Sequence, residues 1–349
     1  GTDAVRFTFC ALASTGRDIR FDSQRLIGYR NFCNKLWNAC RYLQQSLVDD
    51  QSSIPATQQP QHFINQWITN ELVELIQQIN QHLDNYRFDL LAKCLYEFTW
   101  YQYCDWYLEW SKTLLESSNS NQLKQETQHT LLNIMSHLLR LLHPIIPFIT
   151  DSLWSSSEIW QFNYGKDISQ AKWPLATDFT TNKKATQQVD LLKSVISAIR
   201  NIRSELGISP NKLIDVNLIT TNLNIKNQLI EQNDLLLKLA KITNISWNKA
   251  DNANNSAVAV VNDLTISVPL AGLIDIEIEI TRINKTIEKI EKQLHSLEQR
   301  LNNQSYIAKA PPHLIAKAQL EHQQLIDQQQ QLKQKITQLE LINQEANND

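Results

Sequence analysis

The sequence has no long apolar run: no stretch reaches the roughly 18 to 20 residues that a helix needs to cross a bilayer. It also lacks the basic, apolar and small-residue succession of a signal peptide. The five cysteines are odd in number and form no C-x-x-C pair, which argues against a disulfide framework or a zinc ribbon. We therefore expect a cytoplasmic protein with reduced thiols and no membrane partner.

Sequence motifs of catalysis are missing as well. The chain contains no phosphate-binding Gly-rich loop, no G-x-S-x-G, no H-E-x-x-H and no clustered metal-ligand spacing. His143 stands beside two prolines at a predicted helix junction, where a structural role explains it. The residues by themselves therefore predict no catalytic, metal or cofactor site in this chain.

Glycine is scarce too, with six in 349 residues, and long apolar series spaced by three and four predict a helical first two thirds. A polar, proline-bearing connector covers 50–60 and a longer loop covers 157–185. The predicted helices lie near 2–14, 23–48, 60–82, 87–117, 121–143, 145–155 and 186–206.

The pattern changes after Pro210. Residues 212–220 and 257–270 show the β-branched enrichment of strands, with Asn262-Asp263 as a turn. Because a helix near 224–241 lies between these strands, the segment predicts a small α+β unit.

The final segment carries the clearest structural pattern. From Ile276 to Leu301, isoleucine and leucine alternate four and three residues apart, as in a coiled coil. A second such series covers 315–339. Pro311 and Pro312 end any continuous helix between the two, which favours an antiparallel hairpin. Pairing with another chain, as in a scaffold that docks a protein partner, is the alternative.

The helix predicted at 23–48 is unusual in its charge. Residues 17–42 hold six basic and two acidic side chains, although the formal charge of the whole chain is −3. One face buries an apolar stripe from Leu26 to Leu43. The opposite face carries Gln24, Gly28, Asn31, Lys35, Asn38 and Tyr42, and Arg30 and Arg41 share a flank with Trp37.

Donors, rings and uncompensated positive charge are what a single-stranded nucleic-acid loop requires, because splayed bases stack on rings and expose polar edges. A basic, half-buried bundle helix is the other interpretation. The aromatic stretch 96–110 is expected to be bundle core, since Glu97, Asp105 and Glu109 would repel phosphate.

The order of motifs resembles one family. RLIGYRNFCNKLWNACRYL, HPIIPFITDSLW, AIRNIRSELGISPNKLIDV and a coiled-coil hairpin with YIAKAPPHLI at its tip are similar to the C-terminal half of bacterial valyl-tRNA synthetases. The resemblance covers essentially all of the chain. The equivalent part of an isoleucyl-tRNA synthetase is the alternative within the class. The glycine at position 1, followed directly by a helical pattern, indicates the C-terminal part of a longer protein.

The resemblance implies a mainly α fold with four parts: the end of a connection at 1–22, a helical-bundle anticodon-binding domain at 23–206, a small α+β junction at 207–274, and a coiled-coil tRNA-binding arm at 275–343. It implies a monomer that binds tRNA(Val). Catalysis with ATP and Mg belongs to the preceding part of the parent enzyme, so the fragment alone is expected to be inactive and to hold no cofactor.

The resemblance also implies site residues. Anticodon-facing positions of the family fall on Lys35 and Tyr42, and near the start of the helix on Gln24 and Arg25. The family has a basic residue at or next to the position of Gln24, and Arg25 takes that role in this chain. With the polar face of the same helix, the predicted anticodon-binding residues are Lys35, Tyr42, Arg25, Gln24, Asn31 and Asn38. The predicted contacts with the tRNA backbone are Arg30, Arg41, Arg200, Arg203 and Lys309.

Overall fold

The computed structural model describes residues 1–14, 22–46, 59–117, 120–249, 256–270, 276–302 and 312–346. The chain divides into two compact units, Gly1–Lys193 and Ser194–Asp349. Most of the predicted connector at 50–60 and the tip of the predicted hairpin lie outside the described residues, as does Lys309.

The first unit is helical. Between α4 and α5 the chain continues as a π-helical segment, Phe98–Tyr107. The α-helices are α1 (Thr2–Leu12), α2 (Ser23–Ser46), α3 (Phe63–Asp84), α4 (Phe88–Glu97), α5 (Leu108–Ser117), α6 (Asn121–Leu142), α7 (Pro147–Ser155), α8 (Glu158–Tyr164) and α9 (Lys183–Glu205), the last of which continues into the second unit.

Side chains satisfy several helix ends. The Ser120 hydroxyl accepts a hydrogen bond from the Leu123 amide at the start of α6. The Asp3 carboxylate accepts from the Ile149 amide at 2.7 Å, which joins α1 to the first turn of α7. Gly165, at φ 104°, ends α8 in a conformation that a side chain would strain. Helix α8 falls within the predicted loop 157–185, which was wrong at this point.

The core of the first unit is rich in large rings. Trp67, Trp110, Trp154 and Trp160 are fully buried. The Tyr107 hydroxyl donates to the Asn65 amide oxygen at 2.9 Å. Much of the aromatic stretch 96–110 is buried, which confirms its prediction as bundle core, although some of its rings remain partly exposed. Burial of such rings contributes strongly to stability because each removes about 150 to 250 Å² from water.

The second unit contains a four-stranded sheet of order β2-β1-β4-β3. Strands β1 and β2 are parallel, and the other neighbours are antiparallel. The elements are β1 (Ile214–Ile219), α10 (Leu223–Glu231), α11 (Asn233–Ala240), β2 (Ile242–Trp247), β3 (Ser256–Val261) and β4 (Leu264–Pro269).

The sequence predicted this α+β unit but missed β2. The strand ITNISW has one fully buried position, Ile242, because it lies at the sheet edge. A periodicity argument therefore has little apolar alternation to detect. The single helix predicted at 224–241 is two helices, which separate at Gln232.

Two long helices, α12 (Ile276–Asn302) and α13 (Pro312–Ala346), form what we call the arm. Ile283 and Ile287 are buried, with Leu332 and Ile336 packed against them. Gln329 donates to Glu291, and His322 lies 3.4 Å from Glu298. The residue numbers of the contacts on α12 decrease as those on α13 increase. The two helices therefore run antiparallel within one chain.

No helix in the described ranges is long and apolar enough to cross a membrane. All five cysteines are free thiols. Burial raises the pKa of Cys10, Cys33 and Cys94 to about 11 and that of Cys104 to about 12. These thiols are therefore poor nucleophiles at neutral pH.

Candidate nucleic-acid interface

Helix α2 presents one buried and one exposed side. Phe32, Leu36, Cys40 and Leu43 are fully buried against the first unit. The predicted apolar stripe is therefore correct in its middle and C-terminal turns, and Phe32 belongs to it as well. Near the N-terminus the same stripe is only half-buried, at Leu26 and Tyr29.

The ammonium of Lys35 is held by two groups from the π-helical segment. Its Nζ lies 2.5 Å from the Asp105 Oδ1 and 3.9 Å from the centre of the Trp100 ring. The expectation of uncompensated positive charge was therefore wrong for this residue. The sequence could not show this compensation, because the acid comes from another helix, 70 residues along the chain.

Tyr42 lies two turns after Lys35, at the same edge of α2. It is half-buried, and the ammonium of Lys112 lies 5.4 Å from the centre of its ring. Lys112 is itself paired with Glu109 at 2.6 Å. Tyr42 is thus part of a packed polar edge rather than a freely exposed ring.

The exposed side of α2 lies beyond this edge. Asn31, Asn38, Arg30 and Arg41 are exposed, and Trp37 exposes 39% of its surface. At about 100° per residue, the two arginines and Trp37 fall within roughly 40° of one another around the helix, and the two asparagines lie between them and Lys35. Within the described part of the chain, neither arginine forms an ion pair. We call this surface the α2 face.

A cleft of about 520 Å³ adjoins the first turns of α2. Arg25 and Gly28 line it from α2, and Lys93 and Tyr96 line it from α4. Apart from the adjacent residues and the backbone of α2 itself, no atom lies within 4 Å of the place that a Cβ of Gly28 would occupy, so the surface is open there. Arg25 also lies 3.9 Å from Asp22, whereas Gln24 is exposed beside the cleft without lining it.

The π-helical segment is the part of the candidate site that the sequence did not reveal. Runs of i to i+5 hydrogen bonds are rare and shift side chains relative to an α-helix. Here the segment places Trp100 and Asp105 against the ammonium of Lys35. It also places the Gln102 side-chain oxygen 2.6 Å from the Lys193 Nζ, which donates to it. The density of aromatic residues was visible in the sequence, but it does not predict this change of register.

The remaining predicted residues do not join the α2 face. Arg203 is 5% exposed, and its guanidinium donates to the carbonyls of Ser209, Lys212 and Lys241. In this position it stabilises the second unit and is not presented to a phosphate. Arg200 is exposed and donates to the Leu239 carbonyl at 3.2 Å.

No group of three or more His, Cys, Asp or Glu side chains in the described ranges could hold a metal ion. His143 lies 2.8 Å from the Thr150 hydroxyl, at the junction of α6 and α7. Its position there is structural, as predicted.

Two family descriptions match this chain. Residues 65–218 match the anticodon-binding domain of tRNA ligase, and residues 275–340 match the valyl tRNA synthetase tRNA binding arm. The helical bundle and the arm thus belong to the tRNA-binding domains of the aminoacyl-tRNA ligases. Helix α2 precedes the first matched stretch, but its Lys35 is paired with Asp105 inside that stretch.

Curated relatives specify the family further. The chain is 39% identical over 319 residues to proteins named Valine--tRNA ligase from Legionella pneumophila strains Lens, Paris and Philadelphia 1. The match covers 91% of this chain and 35% of each relative, so the chain spans about a third of their length. The chain thus carries an anticodon-binding domain and a valyl-type tRNA-binding arm and is similar to the C-terminal part of valyl-tRNA synthetases, as the order of its motifs indicated.

Proposed function

We propose that this chain is the tRNA-binding part of a valyl-tRNA synthetase and that its partner is tRNA(Val). The observation that carries the proposal is that one chain contains both an anticodon-binding domain and a valyl-type tRNA-binding arm. The bundle would contact the anticodon loop, and the arm would contact the outer corner of the same tRNA. The internal pairing of α12 with α13 supports a monomer.

The α2 face supplies the groups that a single-stranded loop requires. Arg30 and Arg41 are exposed cations suited to phosphates, and Trp37 between them offers a ring for stacking. Asn31 and Asn38 can both donate and accept hydrogen bonds at base edges. Lys35 and Tyr42 bound this surface on one side.

Gln24 and Arg25 extend the proposed contact to the cleft at the start of α2. Arg200 remains a candidate phosphate contact because it is exposed. We do not assign such a contact to Arg203, because its guanidinium is buried among carbonyls. Lys309 lies outside the described residues and stays a prediction from the sequence.

The arm is a second and weaker electrostatic contact. Its exposed cations on α12 stand beside exposed Glu288 and Glu291, so its net attraction for phosphate is modest. The cations are Lys285, Lys289, Lys292 and Arg300.

We retain the boundaries 23–206, 207–274 and 275–343 for the bundle, junction and arm as proposals, with 1–22 as the end of a connection to the rest of the parent enzyme.

The parent enzyme would activate valine with ATP and Mg and transfer it to tRNA(Val). That chemistry would belong to the part of the protein outside this chain. The chain alone would then bind tRNA without aminoacylating it.

Filter binding with a tRNA(Val) transcript tests the proposal. We expect affinity to fall steeply between about 50 and 200 mM salt, because each neutralised phosphate contributes a slope of about −0.7 to −0.9. Arg41→Gln should weaken binding and reduce the slope by about 0.7. Lys183→Gln removes an exposed cation from the start of α9 and serves as the matched control.

Two further comparisons separate the bundle from the arm. A transcript with a replaced anticodon should bind the intact chain more weakly. A chain that ends before residue 275 should bind tRNA(Val) more weakly but keep its discrimination between the two transcripts. Affinity that is independent of salt would refute the proposal, and equal affinity for both transcripts would remove its anticodon part.

A further inference from the structure

The environment of Lys35 is built in layers that begin in the core. Phe32 of α2 is fully buried and stacks on Tyr96, with ring centres 5.2 Å apart. Tyr96 in turn stacks on Trp100 at 5.5 Å and an interplanar angle of 8°. The ammonium of Lys35 rests on the Trp100 ring at 3.9 Å. A lysine side chain has high rotamer entropy, and the cation–π contact with this stack offsets part of the cost of ordering it.

The Asp105 carboxylate completes this environment. It accepts one of the three N–H bonds that the Lys35 ammonium can donate, at 2.5 Å. The side chain of Asp105 is 43% exposed and that of Lys35 is 26% exposed, so both groups lie at the surface. An ion pair this exposed contributes little to stability, which makes a purely structural role a weak explanation for it.

Pairing changes which part of a nucleic acid Lys35 can recognise. A phosphate that approaches an isolated lysine gains from a full positive charge, but a phosphate that approaches this pair meets no net charge. A neutral base edge needs only a donor, and the ammonium retains N–H bonds beyond the one given to Asp105. Phosphate contacts carry no sequence information, whereas contacts with base edges do.

We propose that Asp105 is a specificity-determining residue: by neutralising Lys35 it suppresses binding to phosphate and leaves the lysine as a donor to a base edge. This inference rests on the proposed function and adds a role for a residue of the π-helical segment, which does not belong to the α2 face. Specificity gained by weakening the wrong contacts is a general device of recognition.

The test uses the complete chain with the Asp105→Asn substitution, which keeps the shape of the side chain and removes its charge. Filter binding compares the tRNA(Val) transcript with the same transcript carrying a replaced anticodon. Freeing one cation should steepen the salt slope by about 0.7, which corresponds to a roughly threefold larger loss of affinity between 50 and 200 mM salt. The replaced-anticodon transcript should gain affinity more than the original does, so the discrimination ratio falls.

Two controls isolate the pair. Asp151→Asn removes an exposed carboxylate from α7 and tests the general effect of charge. Lys35→Met, alone and with Asp105→Asn, tests whether the effect of Asp105 passes through the lysine. We expect Asp105→Asn to change neither slope nor ratio when Lys35 is already methionine. Circular dichroism should show all variants folded, because the pair is exposed.

The outcomes are distinguishable from failure of the proposed function. If the unsubstituted chain binds neither transcript in a salt-dependent way, the proposed function itself fails. If the unsubstituted chain binds and discriminates but Asp105→Asn behaves like Asp151→Asn, only the role of Asp105 is refuted. An equal effect of Asp105→Asn with and without Lys35 would also overturn it.

Discussion

Arg203 allows a direct separation of a structural role from an RNA-binding role. Its guanidinium joins three places in the second unit through bonds to the carbonyls of Ser209 at 3.2 Å, Lys212 at 2.7 Å and Lys241 at 2.6 Å. Burial lowers the pKa of Arg203. We expect Arg203→Met to remove these three bonds, although the Ser209 and Lys241 carbonyls still accept from the backbone amides of Lys212 and Ile214.

The magnitude follows from the number of bonds. A typical intramolecular hydrogen bond contributes about 0.5 to 1.5 kcal/mol net. The loss of three such bonds predicts a loss of stability of about 1.5 to 4.5 kcal/mol. Because each 1.4 kcal/mol is a factor of ten, amides near β1 and β2 should exchange hydrogen roughly tenfold to a thousandfold faster.

Hydrogen exchange followed by mass spectrometry over peptides from 208–247 is the suitable assay. Arg200→Met is the matched control, since Arg200 lies one turn earlier, is exposed, and donates to the Leu239 carbonyl at 3.2 Å. That control should change stability by less than about 0.5 kcal/mol. Arg203→Met with exchange rates equal to those of the unsubstituted chain, but with weaker tRNA binding, would refute the structural interpretation.

Two further predictions concern buried titratable groups. The pKa of His137 is lowered to about 3 by burial and by the Arg140 cation, so the unfolded chain binds a proton that the folded chain does not between about pH 3 and 6.5. The free energy of unfolding should therefore decrease on acidification through this window. Thermal unfolding of His137→Gln should show a smaller decrease, and a pH dependence equal to that of the unsubstituted chain would contradict the role of His137. Burial lowers the pKa of Lys193 to about 8, so stability should rise between about pH 8 and 10.5. Urea unfolding of Lys193→Met should lack that rise, whereas persistence of the rise would exclude Lys193 as its source.

The sequence predicted the architecture well where apolar spacing is long and regular. The apolar face of α2 around Leu36 and the paired helices of the arm follow from spacings of three and four, because a helix must bury one stripe. Strand β2 was not predicted, because an edge strand with little burial has no strong alternation. Helix α8 was missed because its seven residues span only about two turns, which is too few to show a regular apolar spacing.

The candidate site divides in the same way. The sequence by itself placed Asn31, Asn38, Arg30 and Arg41 on the exposed part of α2, because residue spacing on one helix determines its faces. The order of the motifs along the chain also indicated the family.

Only the tertiary structure decided which cations are available. Arg203 is enclosed by carbonyls of the second unit, and Lys35 is neutralised by Asp105 from the π-helical segment. Charge compensation depends on which helices meet and in what register, and neither is a local property of the sequence. Spacing along one helix therefore determined the faces of α2, whereas packing between helices determined the charge that α2 presents.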